Sequence, residues 1–201
     1  VSKYNLNIKG ILHIGAHTGE ERSVYDYLDI DPIIWIEADP QLATNLSLRF
    51  KEYPNNHVIG ACISDKIGVE EFHRTNNYAS SSILPLGTHE WRYPKIKVVD
   101  KFNIECVTID SLFDLVPFVG EDRLNFINLD IQGAELKALK GAKENLHRFD
   151  YIYTEFNTEE VYKGCALLPE LDKYLSDYKR VETEHTGKGW GDCFYVKKEL
   201  L

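Results

Sequence analysis

Short apolar runs rich in β-branched residues alternate along this chain with helix-like stretches. Ile11 to Ile14 predicts a strand, and Glu20 to Leu28 the helix after it. Ile33 to Ile36 predicts a second strand, and Pro40 suits the first turn of the next helix. Val58 to Ile63 and Asn125 to Leu129 predict the third and fourth strands. A helix follows from about Ala134 to Leu146, with Leu136, Leu139, Ala142 and Leu146 along one face. Tyr151 to Phe156 reads as a fifth strand, with a helix near Ala166 to Ser176. Arg180 to Glu184 and Cys193 to Lys197 close the pattern, separated by a GKGWGD turn that suggests an antiparallel edge. This βαβα order predicts a mainly parallel sheet with helices on both faces.

Residues 66 to 108 break the alternation. They hold two more strand-like runs, Val69 to Arg74 and Ile96 to Val107, around a loop with Tyr78, Ser80, Ser81, Ser82, His89, Trp91, Arg92 and Tyr93. This segment has no sizeable apolar set of its own. It reads as an insertion in a single domain spanning residues 1 to 201.

Composition narrows the class. At 201 residues the chain has room for one domain with a developed core. No apolar run approaches the roughly 20 residues that span a bilayer, and no signal-peptide core follows the start. Thus no membrane partner is expected. The 23 Lys and Arg against 32 Asp and Glu give a formal charge of −9, which disfavours broad contact with nucleic-acid phosphates. Cys62, Cys106, Cys165 and Cys193 are dispersed and form no CxxC pair; free thiols and a reducing, cytoplasmic setting are expected.

Candidate chemistry gathers where predicted strands end. ILHIGAHTGEE, residues 11 to 21, runs from a strand through Gly15 and Gly19 into a helix. Glycine permits positive φ and close backbone approach, and a helix N-terminus offers unpaired N–H groups. The loop is GxxxG, and a tight structural turn explains it as well. IIWIEADP places Glu37 at the end of strand two, 18 residues after Gly19, where an acid accepts hydrogen bonds from ribose hydroxyls. Asp65 follows strand three, and either adenine contact or turn chemistry suits it. Asp130 ends strand four before a Gly-containing turn, on the rim where ligands bind such sheets. Glu135, in the next helical turn, reads as a cap or salt-bridge partner. Glu155, near the end of strand five, falls beside Asp130. Two such carboxylates can hold a divalent ion, position a hydroxyl or raise one pKa for base work, with Asn157 as a further ligand or donor. The seven histidines make no HExxH spacing, and no GxSxG or GxxxxGK[ST] motif appears.

The ordered set HIGAHTGEE, IEADP, ISDKIG, SSSIL, VTIDSL, LDIQGAELKALKGA and YTEFNTEEVYKG resembles the FkbM family of methyltransferases over roughly residues 8 to 198. VTIDSL and LDIQGAELKALKGA are the most specific parts. The resemblance implies a Rossmann-like class I methyltransferase fold with seven strands in the order 3-2-1-4-5-7-6. It also implies S-adenosylmethionine as methyl donor and a hydroxyl as the usual acceptor. By position, Gly15 and Gly19, with Ala16 and His17 between them, frame the methionine end of the cofactor. Glu37, with Ala38 beside it, takes the ribose, and Asp65 is the adenine candidate. Asp130 lies near the methionine portion and the reacting centre, and Ser81 and Ser82 position cofactor or substrate. His13 departs from the pattern, because such enzymes commonly carry an acid there to meet the cofactor's amino group.

The expected reaction is methylation of a hydroxyl on a sugar or natural-product acceptor, with Asp130 or Glu155 assisting proton loss directly or through a bound divalent ion. The insertion is expected to form the acceptor lid, with Tyr78, Trp91 and Tyr93 stacking on a ring. A non-catalytic scaffold and a nicotinamide dehydrogenase are the alternatives; the missing middle glycine counts against the second.

Overall fold

The computed structural model describes residues 4, 6–115 and 123–201. Its main sheet has seven strands. In chain order they are β1 (Ile11–Ile14), β2 (Ile33–Glu37), β3 (Asn56–Gly60), β7 (Phe126–Leu129), β8 (Tyr151–Asn157), β9 (Tyr178–Glu184) and β10 (Trp190–Lys197). Their spatial order is β3-β2-β1-β7-β8-β10-β9, with β10 antiparallel to both neighbours and the other pairs parallel. Counted within this sheet alone, that is the expected 3-2-1-4-5-7-6.

β1 and β2 are buried along their whole length because helices cover both faces. Ile11, Ile33 and Trp35 pack against Tyr25 of α1 (Arg22–Tyr27) and Leu46 and Phe50 of α2 (Pro40–Phe50). Leu12, Ile14, Ile34 and Ile36 point the other way. They share a core with Leu112 of α4 (Ile109–Leu115), Leu136 and Leu139 of α5 (Glu135–Lys140) and Leu171 of α6 (Leu168–Tyr174). The period-2 alternation of strand side chains sorts consecutive residues to opposite layers.

The third predicted run is split. β3 ends at Gly60, and Cys62 and Ile63 form β4 in a second sheet of order β4-β6-β5, with β5 at Gly68–Thr75 and β6 at Val98–Val107. The insertion therefore supplies two strands of a second sheet, and β4, just ahead of it, supplies the third. α3 (His89–Arg92) lies in the loop between β5 and β6. That loop is fastened to the segment after β8: Gly87 and His89 N–H donate to Val161 O, Thr88 N–H donates to Glu160 O, and Arg92 grips Glu159 through two bonds of 2.6 Å.

The three helices expected at Glu20–Leu28, Ala134–Leu146 and Ala166–Ser176 are all shorter, α6 by two residues at each end. α1 starts at Arg22, and α5 ends at Lys140, where turns and a 3₁₀ segment at Leu146–Arg148 take over. Position 141 takes glycine because the chain passes close to Ser64: a Cβ there would sit 2.3 Å from Ser64 O. VTIDSL interlocks there: Asp110 accepts from the N–H groups of Glu144 and Asn145, each at 3.0 Å.

Candidate active site

The carboxyl ends of β1, β2 and β7 open into a pocket of about 600 Å³, its open mouth included. Gly15 forms its floor with φ +87°, a conformation that L side chains rarely adopt, and a Cβ there would lie 1.8 Å from Asp130 O. His17, also at positive φ, lines the wall, and its N–H donates to Glu37 Oε2 at 2.7 Å. Glu37 is buried at the end of β2, and its second oxygen accepts from Asp39 N–H at 2.7 Å. Burial pushes its carboxyl above the usual range, against these two bonds. Each carboxylate oxygen has a second lone pair for a donor from the pocket. Leu42, Ile63, Phe72 and Ile83 supply an apolar wall.

Four N–H groups of the glycine loop, those of Gly15, Ala16, His17 and Gly19, are engaged within the fold. Gly15 and Ala16 N–H donate to Ile36 O, and Gly19 N–H to Ala16 O. The loop therefore presents the pocket with acceptors more than donors. Among the described residues no Lys or Arg lines it. Such a site suits a ligand rich in donors and positive charge and does not suit a pyrophosphate.

Of the residues expected at the cofactor, Gly15, His17, Glu37, Ala38, Ser82 and Asp130 line this pocket together. Ala16 and Gly19 lie beneath it: Ala16 joins the core around Trp35, and a Cβ on Gly19 would press within 2.7 Å of Phe50. Asp65 is exposed beyond β4 and is not in the lining, where Ala61, Cys62 and Ile63 take that wall. The split of the third run causes this, because the chain has already turned into the second sheet. Ser81 and Ser82 line the pocket, but their hydroxyls work within the fold. Ser81 Oγ accepts from Thr75 N–H, and Ser82 Oγ donates to Gln132 O at 2.9 Å. His13 faces away, stacked on Trp35 and bonded to Tyr25 at 3.0 Å.

A second pocket of about 730 Å³, its open mouth again included, adjoins the first. Asp130, Gln132 and Ala79 line both, and Glu155, His89, Tyr93, Tyr162 and Trp190 line only the second. Gln132 Nε2 donates to Asp130 Oδ1 at 2.6 Å and to Glu155 Oε2 at 2.7 Å. Burial, and then the neighbouring Asp130, push the Glu155 carboxyl well above the usual range. Glu135 caps its own turn, accepting from the N–H groups of Ile131 and Gly133. Among the described residues no group of three or more His, Cys, Asp or Glu is arranged to hold a metal ion. Asn157 is buried and lines neither pocket. Trp91, expected to stack on a ring, is 65% exposed beneath Arg92. Trp190 and Tyr162 were not anticipated; the aromatics of GKGWGD and EEVYKG were the only signals for them.

Residues 13–181 match the family described as Methyltransferase FkbM domain. The chain belongs to this family. It is thus an S-adenosylmethionine-dependent methyltransferase. A relative from Sinorhizobium fredii (strain NBRC 101917 / NGR234), the 2-O-methyltransferase NoeI, is 27% identical over 181 residues, covering 85% of this chain and 72% of its own. Two solved structures share the fold. A SAM-dependent methyltransferase from Aquifex aeolicus has a TM-score of 0.51 at 13% identity, over 98% of this chain and 86% of the other. The precorrin-6y C5,15-methyltransferase from Geobacter metallireducens GS-15 also has a TM-score of 0.51 at 13% identity, over 98% and 85%. The first pocket of this FkbM-domain protein combines carboxylate acceptors, apolar walls and, among the described residues, no cationic side chain, a chemistry that fits a nucleoside with a cationic end.

Proposed function

We propose that this FkbM-domain methyltransferase methylates a hydroxyl of a sugar or natural-product alcohol held in the pocket of Trp190 and Tyr93. The observation that carries the reading is the junction. Asp130 and Gln132 line both pockets, so a donor in the first and an acceptor in the second would meet at a carboxylate. The Sinorhizobium relative is named a 2-O-methyltransferase, which supports oxygen as the accepting atom. When bound, S-adenosylmethionine supplies a methyl group on a sulfonium, and its transfer leaves a neutral thioether and a proton for the acceptor hydroxyl to shed.

The protein's part is orientation and proton removal. Glu37 holds the ribose end, and the Gly15 floor allows close approach. Asp130 or Glu155 takes the hydroxyl proton. Tyr93 and Trp190, joined by a 3.2 Å bond from the indole N–H to the phenol oxygen, give the acceptor ring a surface to stack on. The 66–108 insertion serves as the acceptor-side lid of one catalytic domain, its loop clipped down by Arg92 and Glu159.

Calorimetric titration with S-adenosylmethionine, S-adenosylhomocysteine and NAD tests the donor half. The first two should bind in the micromolar range, NAD should not, and Glu37→Ala should abolish binding. Mass spectrometry over a panel of methyl hexosides, polyketide alcohols and amines tests the acceptor half. Methylation confined to amines would refute the hydroxyl reading. Donor binding without turnover on the whole panel would favour a scaffold.

A further inference from the structure

The carboxamide of Gln132 has every polar atom committed. Its two N–H groups go to Asp130 and Glu155, and its oxygen accepts from Tyr162 O–H at 2.6 Å. Tyr162 O–H, which also lies 3.4 Å from Ser80 O, donates to the amide oxygen, and this arrangement turns the nitrogen toward the two acids. Tyr162 is itself buried and lies beside the anchor of the insertion loop, with Leu86 bridged to it in β fashion. Ser82 Oγ fixes the Gln132 carbonyl from the other side. The backbone of Gln132 has φ +56°, a region uncommon outside glycine, and Gly133 follows at +97°. Without this turn the side chain would not reach back between two strand ends.

We propose that Gln132 is a positioning residue that, locked by Tyr162, joins Asp130 and Glu155 into one proton-accepting unit at the junction of the two pockets. The proposal rests on the hydroxyl-methylation reading above. Asp130 is the exposed member and lines both pockets, whereas Glu155 is buried and lines only the acceptor side. A proton shared by the pair settles on the buried acid, because charge is costlier there. Asp130 is then left to receive the proton that the acceptor hydroxyl releases. Two N–H groups aimed at the carboxylates favour their charged forms and offset both burial and mutual repulsion. The other ionisable groups around the unit add negative charge or none: Glu21 and Tyr153 near Asp130, Glu135 from α5, Asp192 from β10, and Tyr162. His89, on the acceptor side, has its imidazole held below the usual range by burial. Gln132 is thus the donor that this cluster has against its own repulsion.

Infrared difference titration of the carboxyl band, run on protein with S-adenosylhomocysteine and no acceptor, tests the proposal independently of turnover. The Glu155→Gln variant assigns the Glu155 signal. Gln132→Asn keeps the amide and tolerates positive φ, yet is one methylene too short to span both acids. It should still melt cooperatively, at a temperature lowered at neutral pH as linkage requires, and move the Glu155 titration up by about one to two pH units. Tyr162→Phe, which frees the amide to flip, should move it the same way by a smaller amount. In acceptor assays the acid limb of kcat should rise with it, with the donor Kd within about threefold of wild type. Unchanged carboxyl titration in both folded variants overturns the clamp. Absence of methylation by the wild type on every hydroxyl acceptor refutes the functional reading instead, and the infrared result distinguishes the two failures.

Discussion

His13 occupies a position where an acid was expected, and its surroundings make a testable statement about protonation. The imidazole is 2% exposed and stacks on Trp35 at 4.9 Å between centroids. Asn128 Nδ2 donates to Tyr25 O–H at 2.7 Å, so the phenol proton is free to go to His13 Nδ1 at 3.0 Å. That leaves the hydrogen of a neutral ring on Nε2, which lies 4.0 Å from Glu21 Oε2. Desolvation dominates, and the pKa falls from 6.5 to about 3. The unfolded chain therefore takes up a proton below pH 6.5 that the folded chain refuses until about pH 3. Over that window the unfolded state binds more protons, so this residue makes stability fall as pH falls. Two pH units at about 1.36 kcal/mol each give up to about 2.7 kcal/mol between pH 6.5 and 4.5. For a chain of this size that is about 5–11 °C in Tm. His13→Gln keeps an acceptor for Tyr25 and does not titrate. Its stability should be offset from wild type at pH 7, and its Tm should fall less on acidification, by that difference. Thermal melts at pH 6.5, 5.5 and 4.5, read as the difference between the two proteins, isolate the effect from other groups. Equal slopes, or a His13 imidazolium seen by NMR at pH 5, would mean that the ring pairs with Glu21 as a cation.

Glu135 runs with the opposite sign. Burial raises its pKa to about 7 from 4.5, so the folded state holds the extra proton and stability is lost as pH rises through that interval. Glu135→Gln should flatten the decline in melts between pH 4.5 and 7. Gly15→Ala should abolish donor binding by calorimetry and lower Tm, because the Cβ would meet Asp130 O at 1.8 Å and φ is +87°. Wild-type affinity would disprove the close floor. Trp190→Ala should raise the acceptor KM about tenfold or more, whereas Trp91→Ala should leave it within about twofold; equal effects would remove the stacking surface from the argument.

That the main sheet is mostly parallel was legible, because its strands carry apolar runs that alternate with helices, whereas the strand order came from the family resemblance. The split at Ala61 was not read, because Val58 to Ile63 looks like one apolar run and the Gly60 inside it also occurs within strands. Asp65 accordingly falls outside the pocket lining, in a bend after β4 where its turn alternative applies. Glu37 and Asp130 were legible as acids at strand ends, a position fixed by topology. Gln132, Tyr162 and Trp190 were not, because a role that depends on one amide reaching two strands has no spacing signature. The segments most specific to the family include much that is architecture. VTIDSL supplies Thr108 and Ser111, which cap α4 reciprocally at 3.0 Å, and Asp110, which holds the end of α5.

The turn from Asp130 to Glu135 explains how so short a segment serves chemistry and fold together. Gly15 presses on its first carbonyl, Ser82 binds the carbonyl of Gln132, and Glu135 gathers the N–H groups of Ile131 and Gly133. On its far side, a Cβ at Gly133 would come within 3.0 Å of Tyr162 and Cys165. The glycine loop, the insertion and the segment after β8 thus meet on six residues. Consecutive positive φ angles at Gln132 and Gly133 are a cost of order 1–3 kcal/mol at the non-glycine position, held in place by these contacts. What the strained turn achieves is reach: Asp130 stays at the rim between two pockets while the next side chain but one folds back to hold it. The contacts that hold the strained turn also aim Gln132 at Glu155, so the strain is where local geometry and the proposed proton chemistry coincide.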